Sequence, residues 1–396
     1  MIELSRELPA TADVVIVGGG IIGAASAFFA SRAGLRAVVI ERRPALGTLS
    51  TSAATGAFRA QFDNPDEMAL VREGLAFYQH FADETDLPGY DLGLRAQGYL
   101  WCARTEATAA HQREIVARQH GWGLTDVEVL AGDEVRARFP YLSPSVLQAR
   151  WRAGDGWLDP KQLTAGYALA SGARFVVETG VTGFERTNGR VVGVRTTRGT
   201  LHAGAVVIAA GPFSGVLAHM AGVTLGISCV RRMRIVLPEV PEAPAWAPMT
   251  IDEETGAHWR PWQGGAHCMW TQPHVPAGPP LDEVPPSDHF VFSVLDPHSP
   301  NSVAVLSPFW RDVWARQSLH WTVRAGQYDY TRDHRPLIGA TVVPGLYVNT
   351  GYSGHGIMCS AGGSRLLMDT LTGRVERAAN PFRPDREFAH RELDVI

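Results

Sequence analysis

The sequence predicts an α/β protein in which a Rossmann-like nucleotide-binding domain is interleaved with an α+β domain built on an antiparallel sheet. Three observations predict it. An apolar run at 14–17 leads into Gly18, Gly20 and Gly23 and then a small-residue segment at 24–32 that reads as a helix, and a second apolar run at 37–40 ends on Glu41. Between Cys229 and Gly326, aromatic and β-branched residues recur in short runs separated by turn signals, the pattern of an antiparallel sheet. Finally, a second glycine-rich loop beginning at Gly351 runs into a helix that stops at Gly373.

The first unit is a strand, a glycine turn, a helix and a second strand closed by an acid, which is what a dinucleotide site needs. Gly18, Gly20 and Gly23 allow a tight turn and close backbone approach, and the helix start at Ile21 and Ile22 offers N–H groups to a pyrophosphate. Glu41 can accept hydrogen bonds from a ribose, with Arg42 beside it. The unit alone does not separate FAD from NAD. The loop that follows, 42–62, is rich in small and hydroxyl side chains; Ser50, Thr51, Thr55 and Gly56 can serve a phosphate and a ring edge, although a solvated loop would look the same. Arg59, between Phe58 and Ala60, reads on its own as a surface ion pair.

Residues 65–83 carry a helical apolar face, and 89–140 hold a short strand at 98–103 and a polar helix at 106–120 without nucleotide signals. The turn-rich stretch 151–160 leads into a helix at 161–170. A strand at 175–184, containing Val181, turns at Asn188-Gly189 into a hairpin. The buried strand that follows ends in Ala210-Gly211-Pro212, small enough for a cofactor to approach. Within the aromatic segment, 290–295 reads as one of the strands. His258, His267, His274 and His289 lack ligand spacing with a third partner, so no metal site is expected. The loop with Gly354, His355, Gly356, Ile357 and Met358 can stabilise negative charge at a helix N-terminus. The division expected is 1–85, 150–222 and 325–396 for the nucleotide domain, and 86–149 and 223–324 for the substrate domain.

Composition sets the class. A chain of 396 residues, 45% hydrophobic and 19% charged, is an ordinary globular protein of about two domains. Its net charge of −4 argues against a nucleic-acid partner, and Lys161 is its one lysine. Cys102, Cys229, Cys268 and Cys359 form no C-x-x-C pair and read as reduced thiols. Residues 1–10 lack the charge and apolar core of a signal peptide, and no apolar run approaches the ~20 residues of a membrane span, so a cytoplasmic location is expected.

Taken together, 15–23, 41–43, the 50–59 loop, D-G-W-L-D-P at 155–160, A-A-G-P at 209–212, D-H-R-P-L-I-G at 333–339 and G-Y-S-G-H-G-I-M at 351–358 resemble, in order, the glycine oxidase, sarcosine oxidase and D-amino-acid oxidase superfamily. The resemblance implies an FAD-dependent amine oxidoreductase, so the Rossmann-like domain becomes an FAD-binding one. The run G-x-Y-x-x-T-x-D at 326–333 looks most like the sarcosine oxidase β-subunit and dimethylglycine dehydrogenase branch. By that correspondence Arg59 holds the substrate carboxylate and Tyr328 lines the pocket, with His258 a weaker candidate for its wall. Three departures matter. Gly326 stands where some relatives attach FAD to a cysteine, implying non-covalent FAD; Met358 replaces a lysine that helps bind the carboxylate; and Met269 loosely corresponds to a lysine that promotes reaction with oxygen.

The expected activity is oxidation of a small secondary or N-methylated amino acid, with hydride passing to flavin N5 and the resulting imine hydrolysing. Oxygen or another acceptor would take the electrons. The alternatives are a D-amino acid, glycine or 2-hydroxy acid as substrate, or a flavin-binding subunit or assembly factor of a larger complex. The resemblance admits a homo- or hetero-oligomer.

Overall fold

The computed structural model describes residues 2–316 and 318–389. Among the described residues, a nine-stranded and an eight-stranded sheet dominate. At the centre of the first, Thr11–Val17 pairs in parallel with Ala37–Ile40 on one side and Gly199–Ile208 on the other. Leu346–Thr350 continues the parallel set beside Gly199–Ile208. Residues 14–17 and the strand Ala37–Ile40 are wholly apolar and buried because both faces of the sheet are covered.

On one face the helices Ile21–Arg32, Pro65–Gln79, Pro160–Ala170 and Gly356–Leu371 share a core that includes Ala24, Phe28, Val71, Tyr167 and Cys359. Their starts are written in the sequence. Asn64 accepts a hydrogen bond from the Glu67 N–H at 2.9 Å, with Pro65 next, and Asp159 accepts from the Lys161 N–H at 2.8 Å, with Pro160 next. The other face is covered by Ser214–Met220 and the hairpin Val181–Thr187 with Arg190–Thr196, which turns at Asn188 (φ 50°) and Gly189 (φ 79°), the expected type I′ pair.

The eight-stranded sheet runs Thr322–Tyr330, Ser228–Leu237, Gly265–Trp270, Ala257–Trp262, Met249–Asp252, Tyr99–Ala103, Gln148–Arg152 and Glu128–Ala131. All neighbours are antiparallel except Met249–Asp252 with Tyr99–Ala103. Trp259, Phe290, Val294 and Trp310 cluster on one side, and Tyr99, Trp101, Met249, Ile251 and Met269 on the other with Trp157.

Three expectations need correction. Residues 290–295 lie in a helix, His289–Leu295, whose buried Phe290, Val291, Val294 and Leu295 follow helical spacing; a short apolar run does not distinguish the two by itself. The strand expected at 175–184 is two strands, Arg174–Val176 and Val181–Thr187, separated by Glu178 at φ 51°. The boundaries placed at 150 and 325 fall inside Gln148–Arg152 and Thr322–Tyr330, both strands of the eight-stranded sheet. Their partners are remote in sequence, so no local signal marks them.

Candidate active site

A cleft opens at the carboxyl ends of the parallel strands, where ligands settle in open α/β sheets. It is lined by Gly18, Gly20, Ile21, Ile22, Glu41 and Arg42 from the first unit, by Ser50 and Thr51, and by Val181, Ala210 and Gly211. Tyr328, Gly354, Gly356 and Ile357 close it from the far end of the chain. The structure thus brings these fifteen predicted residues to one cleft, which Thr179, Phe213, Gln327, Asp329, Asn349 and Thr350, absent from the sequence reading, also line.

Close backbone packing shapes the cleft. Gly18 has φ 115°, and a Cβ there would lie 2.5 Å from the Ala209 carbonyl oxygen. At Gly23 a Cβ would lie 1.8 Å from the Gly18 carbonyl oxygen, so this glycine serves the packing of the turn rather than the cleft wall. At Gly354 (φ 94°) a Cβ would sit 2.4 Å from the Tyr328 ring. Two helices begin here, at Ile21 and Gly356, and neither has a side-chain cap or an acidic residue in its first turn. Apart from the Ile21 N–H, which donates to Thr51 Oγ1, the N–H groups of these first turns and the positive ends of two helix dipoles favour an anionic ligand.

The surrounding side chains fix this frame. Thr51 Oγ1 accepts from the Ile21 N–H at 3.1 Å, and Ser50 Oγ donates to the Gln327 carbonyl at 2.8 Å, joining loop, helix and distant strand. Glu41 ends its strand as expected, its carboxylate accepting from the Gly19 N–H at 2.7 Å and the Arg43 N–H at 2.8 Å. Arg42 lies over the Phe213 ring at 3.9 Å. Half-buried Asp329 accepts from the Gly351 N–H at 2.8 Å and Thr350 Oγ1 at 3.1 Å, holding the second glycine loop; desolvation raises its pKa above the ordinary value.

Arg59 is not on the surface. It is 2% exposed, its guanidinium lies 4.5 Å from the Phe62 ring centroid and 5.5 Å from that of Trp101, and it donates to the Gln61 carbonyl. The pairing of Ala57–Phe58 with Gly156–Trp157 and the buried Asp155 carboxylate set this loop: Asp155 accepts from the Ala60 N–H and the Gln61 side-chain amide, both at 2.9 Å. The D-G-W motif therefore works as a clamp on the arginine loop. Burial lowers the Arg59 pKa below its usual value, although it stays a cation at neutral pH. Its Nη2 lies 3.4 Å from Nε2 of His355, whose Nδ1 lies 3.4 Å from the Glu67 carboxylate. Because arginine only donates, this contact fits His355 accepting at Nε2 and carrying its proton on Nδ1, toward Glu67.

Five predicted residues sit elsewhere. Side-on to the cleft, His355 faces Arg59 and Glu67, and Met358 packs in the helical core. Thr55 lines a second cavity, and Gly56 (φ 74°) backs onto the Leu158 carbonyl oxygen, 1.9 Å from where a Cβ would lie. His258 donates from Nδ1 to the Gly256 carbonyl at 2.8 Å, and burial pushes its pKa down to about 4. All four cysteines are buried and free. No helix among the described residues is long and apolar enough to cross a membrane.

Fold and cleft together define a Rossmann-type dinucleotide-binding oxidoreductase with an appended antiparallel sheet. The family profile for FAD dependent oxidoreductases matches residues 13–370, and the chain belongs to that family. FAD is its cofactor, and the bare glycine backbone and the two helix starts without acidic first turns fit the group. The chain is 26% identical over 90% of its length to FAD-dependent oxidoreductase domain-containing protein 1 of Bos taurus, matching 80% of that protein. It is 26% identical over 94% of its length to sarcosine oxidase subunit beta of Arthrobacter sp, matching 90% of it. The crystal structure of glycine oxidase from Geobacillus kaustophilus superposes with a TM-score of 0.81 at 26% identity, covering 96% of this chain and all of that one (100%).

Proposed function

We propose that this protein oxidises a small secondary or N-methylated amino acid with non-covalent FAD, and that Arg59 holds the substrate carboxylate. The observation that carries the reading is the buried guanidinium of Arg59, fixed between two aromatic rings and joined through His355 to the loop that closes the cofactor cleft. A planar cation in a dry setting binds a carboxylate through two parallel hydrogen bonds. Likeness to a sarcosine oxidase subunit supports an N-methylated substrate.

Bound FAD supplies the two-electron acceptance that the chain's own side chains cannot. The protein's part is placement. Arg59 orients the carboxylate, His355 and Glu67 hold Arg59, and Tyr328 with Gly354 walls the approach to the cleft. The helix start at Gly356 favours negative charge beside it. Gly326 presents no nucleophile, which supports non-covalent attachment. Likeness to glycine oxidase keeps a primary amino acid as the second reading.

Replacing Arg59 with lysine keeps a charge but removes the fork. The expected loss in kcat/KM is on the order of 10²-fold, mostly through KM. An unchanged KM for every amino acid turned over would remove Arg59 from this role.

A further inference from the structure

Beside the cofactor cleft lies a second cavity of about 710 Å³, large enough for a small-molecule ligand. The two share wall residues, among them Arg43, Ser50, Ala54, Phe213 and Gln327, so an occupant of one neighbours the other. One wall of the second cavity is a face of the eight-stranded sheet, and it carries an unusual set of charges. Arg234 stands directly across from Arg324 on the next strand, and Arg260 directly across from His267. The paired Arg234 and Arg324 are like charges, which repel in such positions.

No carboxylate among the described residues forms an ion pair with Arg234, Arg260 or Arg324. Neutral carbonyls receive their N–H groups instead: Arg234 donates to Ala54 at 2.7 Å and Ser52 at 3.3 Å, and Arg260 to Thr55 at 2.5 Å and Pro261 at 3.2 Å. Nε of Arg234, Nε of Arg260 and Nδ1 of His267 are buried with no partner. Arg260 is 1% exposed and His267 4%. Burial, then repulsion by neighbouring arginines, pushes the guanidinium of Arg234 down to about 10 and that of Arg260 down to about 9. The same two causes keep His267 neutral, so it adds an N–H donor rather than a charge.

Among the cavity's acids, Asp159 attracts Arg234 and Arg260 through space but forms no ion pair with either. Asp159 is engaged in capping its helix, and Asp282 pairs with Arg42 and Arg43; Glu283 lies on the same outer loop as Asp282. Three guanidiniums line one cavity, two of them met by neutral carbonyls and none by an ion-paired carboxylate, which is the donor set an oxyanion needs.

We infer that this cavity binds a second ligand through an oxyanion, a phosphate or carboxylate group, received by Arg234, Arg260 and Arg324. Arg59 is not among the residues lining this cavity, and the inference does not depend on which substrate the enzyme oxidises.

The FAD-loaded full chain would be titrated with inorganic phosphate and, separately, with citrate, at constant ionic strength set by chloride. The change in intrinsic tryptophan emission, to which Trp262 contributes as a cavity residue stacked on His267 at 5.5 Å, and the thermal midpoint report binding. Saturable binding of either oxyanion, absent with chloride alone, is expected; the better of the two identifies the group as phosphate or carboxylate. Arg324 is exposed at its strand, so Arg324→Gln should leave the fold intact and weaken binding about tenfold, the loss of one charge-assisted hydrogen bond. Arg260→Lys, which keeps the charge but not the fork, should weaken it as well. No saturable response to either oxyanion, or equal affinity in the wild type and both variants, would overturn the inference. Amine-dependent bleaching of FAD, recorded on the same samples, separates failure here from failure of the amine reading.

Discussion

Arg59 shows how a residue's neighbours decide its meaning. In a loop flanked by Phe58 and Ala60 it looks like a surface cation, and the fold instead seats it against Phe62 and Trp101 with His355 at its tip. The signal that could have placed it was Asp155, whose carboxylate holds the backbone of Ala60 from 95 positions away. His258 illustrates the reverse. Proposed as a wall of the pocket, it spends its Nδ1 proton on the Gly256 carbonyl and is kept neutral by burial. Its folded pKa of about 4 lies below the unfolded value near 6.5, so the unfolded chain binds more protons between these limits. Stability from this residue is present above about pH 6.5 and lost as pH falls toward 4, by up to roughly 3 kcal/mol. Denaturant titrations of the wild type and His258→Asn, whose amide can reach the same carbonyl, should converge over that window. Parallel curves would show that burial of the imidazole carries no such penalty.

At the scale of elements, the loop-to-helix junctions carry the site. The first was legible because every part of it is local: apolar strand, spaced glycines, small-residue helix and Glu41 within one short unit. The second, ending the strand Leu346–Thr350 and beginning the helix Gly356–Leu371, was legible as a loop and helix, but its reason was not. That reason is Tyr328, whose ring occupies the space a side chain at Gly354 would need. Gly354→Ala is therefore expected to fold yet purify with much less FAD, because both the φ of 94° and the ring contact resist a Cβ. Visible flavin absorbance per mole of protein measures this directly; a fully loaded variant would show that the junction tolerates displacement. The helix His289–Leu295 was misread for the opposite reason, since six apolar-rich residues fit either period.

For the whole molecule, the cleft is where the two sheets meet. Gly18 to Thr51 come from the nucleotide side, and Gln327, Tyr328 and Asp329 from the edge strand of the eight-stranded sheet. The strand order of that sheet interleaves segments from residues 99 to 330, so cross-strand pairs such as Arg234 with Arg324 leave no mark in local sequence. Fold class, cofactor and fifteen residues of the cleft could be read from motifs; the rest of its wall, the cationic cavity and the sheet's true limits could not. A ligand held from both sides should stabilise the molecule as one unit, by about 2.7 kcal/mol when free FAD is a hundredfold above its Kd. Thermal unfolding with and without added FAD would show a single transition moving upward, whereas an unmoved midpoint for half the signal would mean that only one side senses the cofactor.

The central claim concerns the substrate, and anaerobic mixing of the FAD-loaded protein with candidate donors tests it most directly. Sarcosine, dimethylglycine or proline should bleach the flavin absorbance faster than glycine, D-amino acids or 2-hydroxy acids at equal concentration. Bleaching by hydroxy acids alone, or by no amine at all, would contradict the account.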